Sequence, residues 1–152
     1  MGRLSIPMQD FAEATSIVGN IFASIKQDDV LGLGFHEHAV DFVLPPFYNL
    51  INQNLLSKPV FAFYFDDVRR KGNEAEITFG GINHDHYCGD LVELPLRRPN
   101  TWEVDFDAVR FGDETIELAN TGASTDTGAA MITLPSALAE LMYRDLHAHT
   151  VR

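Results

Sequence analysis

The sequence predicts a mainly β chain that carries two short helices. Three observations support this. Eleven Phe, four Tyr and one Trp supply large, stiff fillers of the kind that pack well on pleated sheets. Short apolar or alternating runs recur at residues 60–65, 76–79 and 101–111, bounded by turn residues. Two stretches only, after Pro45-Pro46 and after Pro135-Ser136, show the 3.6-residue spacing of a helix.

Taken in order, residues 4–22 read as strand-like material with turns at Pro7 and Gly19, and residues 21–25 as a strand. Residues 30–34 are apolar and studded with glycine. That pattern predicts a buried strand passing close to another backbone. A helix opens at Pro45-Pro46, where a missing amide donor costs nothing. Phe47, Leu50, Ile51, Asn54 and Leu55 fall at near-3.6 spacing on one, mainly apolar, face, and Lys58-Pro59 is expected to end it. Residues 60–65 form a buried strand. Residues 66–73 form a charged turn, and residues 76–79 a strand entering Gly80-Gly81. Residues 91–96 and 101–111 alternate with period two. In the second run Trp102, Val104, Phe106 and Ala108 share one face, with Glu103, Asp105 and Asp107 on the exposed one. Ile116 sits in a short strand after a Gly112-Asp113 turn. Residues 131–134 read as a strand. The last helix takes Ser136 as its N-cap and buries Leu138, Leu141, Met142 and Leu146.

The 152 residues suffice for one structural unit or half of a larger one. A formal charge of −11 repels phosphate backbones and anionic lipid, so neither nucleic acid nor membrane is an expected partner. The same charge suits an acidic compartment, although plain solubility is the simpler explanation. No apolar run reaches membrane-spanning length, and the first residues do not read as a signal peptide. The single cysteine, Cys88, allows no intrachain disulfide and has no base at catalytic spacing. His36-Glu37-His38 and His84-Asp85-His86 place imidazoles two apart, a metal-binding spacing in a strand. Solvated loop histidines are the expected reading of both, and His147 and His149 read as a fraying tail. No metal site is expected.

One motif carries chemistry: Asp126-Thr127-Gly128. Its surroundings include Pro45-Pro46-Phe47-Tyr48-Asn49-Leu50, then Pro59-Val60-Phe61-Ala62-Phe63-Tyr64 and Thr78-Phe79-Gly80-Gly81. Trp102-Glu103-Val104 and Leu134-Pro135-Ser136 follow. In this order and spacing the chain resembles the pepsin-like aspartic proteases, peptidase family A1, most of all the fungal vacuolar type. The resemblance implies an acid-protease-like β-barrel lobe, here incomplete, with two short helices. It reads residues 1–57 as the end of a first lobe. Residues 58–152 read as the interlobe region and the start of a second, together one partial domain. It implies hydrolysis of peptide or protein substrates at acid pH, without a cofactor. Asp126 is then the catalytic aspartate, and Thr127 makes a lobe-bridging hydrogen bond. Gly128 and Val30 contact substrate. Family members are vacuolar or secreted, and localisation of this chain stays open.

The resemblance supplies one aspartate where the chemistry needs two. Two close carboxylates cannot both ionise, so they share a proton, as is established for this enzyme class. One activates water and the other protonates the scissile carbonyl. A homodimer is one expected source of the second carboxylate. The alternative is a catalytically inactive remnant that binds peptide or pairs with a homologue. The motif's setting also departs from the family pattern. Ala123-Ser124-Thr125 stand in place of an apolar run that should be buried. Ala129 replaces a hydroxyl residue, and Gln27 and Asp29 replace an aromatic and a glycine.

Overall fold

The computed structural model describes residues 4–16, 29–67, 75–129 and 131–148. The chain divides into two compact units, Met1–Glu93 and Leu94–Arg152.

In the first unit the helix α1 spans Pro46–Asn52, with prolines at its N-cap and first position. It ends well before Lys58-Pro59, because Asn54 takes a left-handed φ of 54°. The Leu55 amide then reaches the Leu50 carbonyl at 2.9 Å and the Asn54 amide reaches Ile51, also at 2.9 Å. These are the two bonds of a Schellman stop, with asparagine in the position that glycine usually fills. The α1 side chains Phe47 and Leu50 are buried, Leu50 completely. Strand β1, Phe61–Tyr64, pairs antiparallel with β2, Glu76–Phe79, in the register Phe61↔Phe79 through Tyr64↔Glu76. Phe47 meets the Phe61 ring edge-on at 4.8 Å, and Phe79 lies at 6.4 Å. This aromatic cluster joins helix to hairpin. Each such pair contributes about 0.5–1.5 kcal/mol beyond its buried area.

Residues 4–16 form no strand. Side-chain hydrogen bonds tie this segment to residues 44–53 instead. Gln9 Nε2 donates to the Leu44 carbonyl at 3.0 Å, Asn49 Nδ2 donates to Gln9 Oε1 at 2.8 Å, and Gln53 Nε2 donates to the Pro7 carbonyl at 3.1 Å. The strand expected at residues 21–25 lies outside the described residues, as does most of the charged turn. The buried strand expected at 30–34 is not formed. Val30 is 88% exposed, and nothing approaches the Cβ positions of Gly32 and Gly34 within 4 Å. Composition alone does not supply a ladder partner, and the run belongs to no sheet among the described residues.

The second unit is built on two ladders. Strand β3, Glu103–Asp105, pairs with β6, Gly122–Ser124. Strand β4, Ala108–Phe111, pairs with β5, Glu114–Glu117. The single strand expected over 101–111 is therefore two. Phe106 still donates to Thr121 at 3.0 Å, but Asp107 accepts from Leu118 at 2.7 Å, so the chain changes partner between them. Gly112 takes φ 58° at the first central position of the β4–β5 turn, as a type II′ hairpin requires. Residues 91–96 and 131–134 are not in strands, and Met131 and Ile132 are 85% and 84% exposed. Helix α2, Ser136–Asp145, has Pro135 at its N-cap, so Ser136 is its first residue and caps nothing. Leu138, Leu141 and Met142 are half-buried, whereas Leu146 is exposed. His147 is no fraying tail. It takes φ 51° and closes a second Schellman stop, with Ala148 donating to Tyr143 at 2.9 Å. His149 lies outside the described residues.

Glu103 is the largest departure from the sequence reading. It is 3% exposed, not solvated. Arg97 Nε lies 3.4 Å from its Oε1, and Arg98 bonds Oε2 through Nε at 2.6 Å and through Nη2. Arg97 also donates to Asp105 Oδ1 and to the Thr121 and Asn120 carbonyls, each at 2.8 Å. One planar guanidinium thus staples β3 to the approach of β6. The strands in the three sheets do not close into a barrel among the described residues. Strands with two short helices are nevertheless the architecture expected of a partial lobe.

Gly122 makes this staple possible. A Cβ there would stand 2.6 Å from Glu103 Cδ and 2.8 Å from Arg97 Cδ. Gly122→Ala should displace Glu103 and leave a buried carboxylate underpaired, costing about 1–3 kcal/mol. A urea melt followed through Trp102 fluorescence checks this. Unchanged stability would contradict it.

Candidate active site

Strand β6 delivers the chain to Asp126. Gly122 and Ala123 are half-buried and Ser124 is exposed, so the strand ahead of the motif is only partly covered. Thr125 finds the partner its hydroxyl needs: both its amide, at 2.9 Å, and its Oγ1, at 3.3 Å, donate to the Trp102 carbonyl. The next three residues form a tight turn. The Gly128 amide donates to Asp126 Oδ1 at 2.8 Å, and the Ala129 amide donates to the Asp126 carbonyl at 3.3 Å. This is an Asx turn, in which a short acidic side chain replaces a backbone acceptor.

The turn orients the carboxylate. One oxygen is held by the Gly128 amide, and Asp126, Thr127 and Gly128 are all exposed. Among the described residues Oδ2 has no hydrogen-bond partner, and no second carboxylate is bonded to Asp126. An exposed carboxylate with one fixed and one open oxygen can accept a proton from water or from another acid. On its own it cannot also donate one while ionised. Val30, the other expected contact residue, lies in the first unit on its exposed irregular segment.

The histidine motifs are turns, not strands. Residues His36–His38 and His84–His86 form short 3-10 turns, and no group of three metal-ligating side chains occurs among the described residues. The histidines of both turns are engaged and not simply solvated. His36 Nε2 pairs with the Phe42 carbonyl at 2.8 Å. His86 stacks on Tyr64 with ring centroids 3.8 Å apart, and its Nε2 lies 3.3 Å from Glu76 Oε2.

Sequence reasoning missed this second cluster. Glu76 accepts from Thr78 Oγ1 at 2.5 Å, from Asn83 Nδ2 at 3.2 Å, and from His86. The Thr78 hydroxyl, then Asn83, then His86 hold its carboxyl below the ordinary value of 4.5. Beside it a cleft of about 230 Å³ is lined by Ala62, Tyr64, Thr78, Asn83, His86 and Leu91, among others. The signal was the hairpin register, which sets Tyr64 opposite Glu76. Neither spacing nor periodicity connects His86 to that pair. No helix among the described residues is long and apolar enough to cross a membrane.

The family model for eukaryotic aspartyl protease matches residues 1–152. Vacuolar protease A of Aspergillus fumigatus is 48% identical over 148 residues, covering 97% of this chain and 37% of that protein. Vacuolar aspartic protease of Candida albicans is 48% identical over 143 residues, covering 93% of this chain and 34% of the relative. Aspartic proteinase oryzasin-1 of Oryza sativa is 34% identical over 140 residues, covering 91% and 28%. The chain belongs to the eukaryotic aspartyl protease family. It spans little more than a third of the length of the vacuolar relatives it matches.

The turn itself is testable apart from any catalysis. Asp126→Asn keeps an Oδ1 acceptor and should retain the slowed exchange of the Gly128 amide. Asp126→Ala should lose it, by several-fold, consistent with a net bond of about 0.5–1.5 kcal/mol. Hydrogen exchange read by NMR separates these outcomes. Equal exchange in both variants would mean that the side chain does not hold the turn.

Proposed function

We propose that this chain carries one half of the catalytic apparatus of an aspartic endopeptidase, with Asp126 as its reacting carboxylate. The observation that supports this most is the Asx turn, an exposed motif carboxylate held through one oxygen by the Gly128 amide at 2.8 Å. The family match over the whole chain gives that turn its chemical meaning. Thr127 and Gly128 support the carboxylate, Thr127 through a lobe-bridging hydrogen bond. Gly128 and Val30 contact the substrate, a peptide or protein. In this reading residues 1–57 end a first lobe, and residues 58–152 form the interlobe region and the start of a second.

The second carboxylate comes from outside this stretch. A second copy of the chain is the source that two-fold symmetry makes simplest, since one contact then brings two Asp126 side chains together. Two acids at hydrogen-bond distance share one proton. The ionised one takes a proton from water, and the other donates to the carbonyl oxygen. The pair, not the single residue, is the catalyst.

Cleavage of denatured globin at acid pH, with and without pepstatin, tests this. Pepstatin-sensitive cleavage should be present at high chain concentration and fall by at least about 10³-fold in Asp126→Asn. Mass measurement under the same conditions should find dimer. Cleavage that survives Asp126→Asn would overturn the role of Asp126. No cleavage at high concentration, or monomer alone, would overturn the second-copy source.

A further inference from the structure

We propose that the contact between Glu76 and His86 is an acid-strengthened latch that fastens the turn His84–His86 onto the β1–β2 hairpin. Two contacts hold one imidazole. Its Nε2 faces Glu76 Oε2 at 3.3 Å, and its ring lies flat on Tyr64, 6° from parallel, at 3.8 Å. The turn is closed locally by Asn83, whose Oδ1 accepts the Asp85 amide at 3.1 Å and whose Nδ2 reaches back to Glu76. Glu76 is thus the point where the hairpin and the turn meet. The ionisable groups facing His86 are Glu76 from β2 and Tyr64 from β1. On its own turn stand His84 and Asp85. Tyr87 follows, its hydroxyl joined to His84 Nδ1 at 2.5 Å.

A histidine changes charge between pH 5 and 8. Protonation here improves two contacts together. The bond to Glu76 becomes an ion pair as well as a hydrogen bond. The stack on Tyr64 becomes a cation on an aromatic face. The lower limit follows from Glu76. A carboxyl held below 4.5 stabilises the fold fully above that value and loses its contribution as pH falls through the depressed one. The latch is therefore tightest in mildly acid solution, and it slackens toward neutral pH and again in strong acid. This device does not depend on the catalytic role of Asp126.

Hydrogen exchange at the Asp85 and His86 amides of the full chain, corrected for intrinsic rate, reads the latch. Protection should be about two- to fivefold greater at pH 5.5 than at pH 8, the range of a partly exposed ion pair. His86→Phe preserves a ring on Tyr64 but no charge, and its profile should be flat. Glu76→Gln removes the ion pair but not the stack, so its pH dependence should be clearly smaller. A flat profile in the unaltered chain would overturn the latch, and so would an unaltered profile in Glu76→Gln. If a variant fails to fold, the profile of the unaltered chain decides alone.

Discussion

The second unit depends on one buried carboxylate and the arginines that neutralise it. Glu103 is removed from water on β3, and without Arg97 and Arg98 its charge would oppose folding. With them it fixes the spacing between β3 and β6. Gly122 gives it room, and Asp105 together with the Asn120 and Thr121 carbonyls use the remaining guanidinium donors. The Asp126 turn is the continuation of β6, reached through Thr125 on the Trp102 carbonyl. The position of Asp126 thus rests on an ion-pair network about one strand away.

Each unit has its own small core. The described core of the first unit is an aromatic cluster around Phe47 and Leu50, and that of the second is a polar staple. Within the second unit the Asp126 turn is exposed. Among the described residues no second carboxylate is bonded to Asp126, and the proposed chemistry needs one.

Much of the architecture was legible, for identifiable reasons. The helix at Pro46 announces itself through its prolines and the spacing of Phe47 and Leu50, and the hairpin of β1 and β2 through runs of aromatic and β-branched residues. The Gly112-Asp113 turn is a local signal, and it fell where expected. What misled were runs whose strand character depends on a partner. Residues 30–34, 91–96 and 131–134 have strand composition, but a ladder needs a second chain segment that composition cannot supply. Glu103 was misread because alternation identifies a face and not what covers it. The arginine that covers that face lies outside the strand. His86 was misread as solvated because its partners come from a hairpin 10 and 22 residues earlier. Asp126 was singled out by the order and spacing of the motifs around it; the Asx hydrogen bond that shapes its turn was not foreseen.

The central claim is that each copy of this chain holds a single reacting carboxylate. Acid-pH cleavage measured against chain concentration tests it most directly. If two copies complete the site, the rate per chain rises with concentration and vanishes on dilution into monomer, and added Asp126→Asn chain poisons the unaltered one. A rate per chain that stays constant through the monomeric range would mean that one copy holds a complete site, and the account would be wrong.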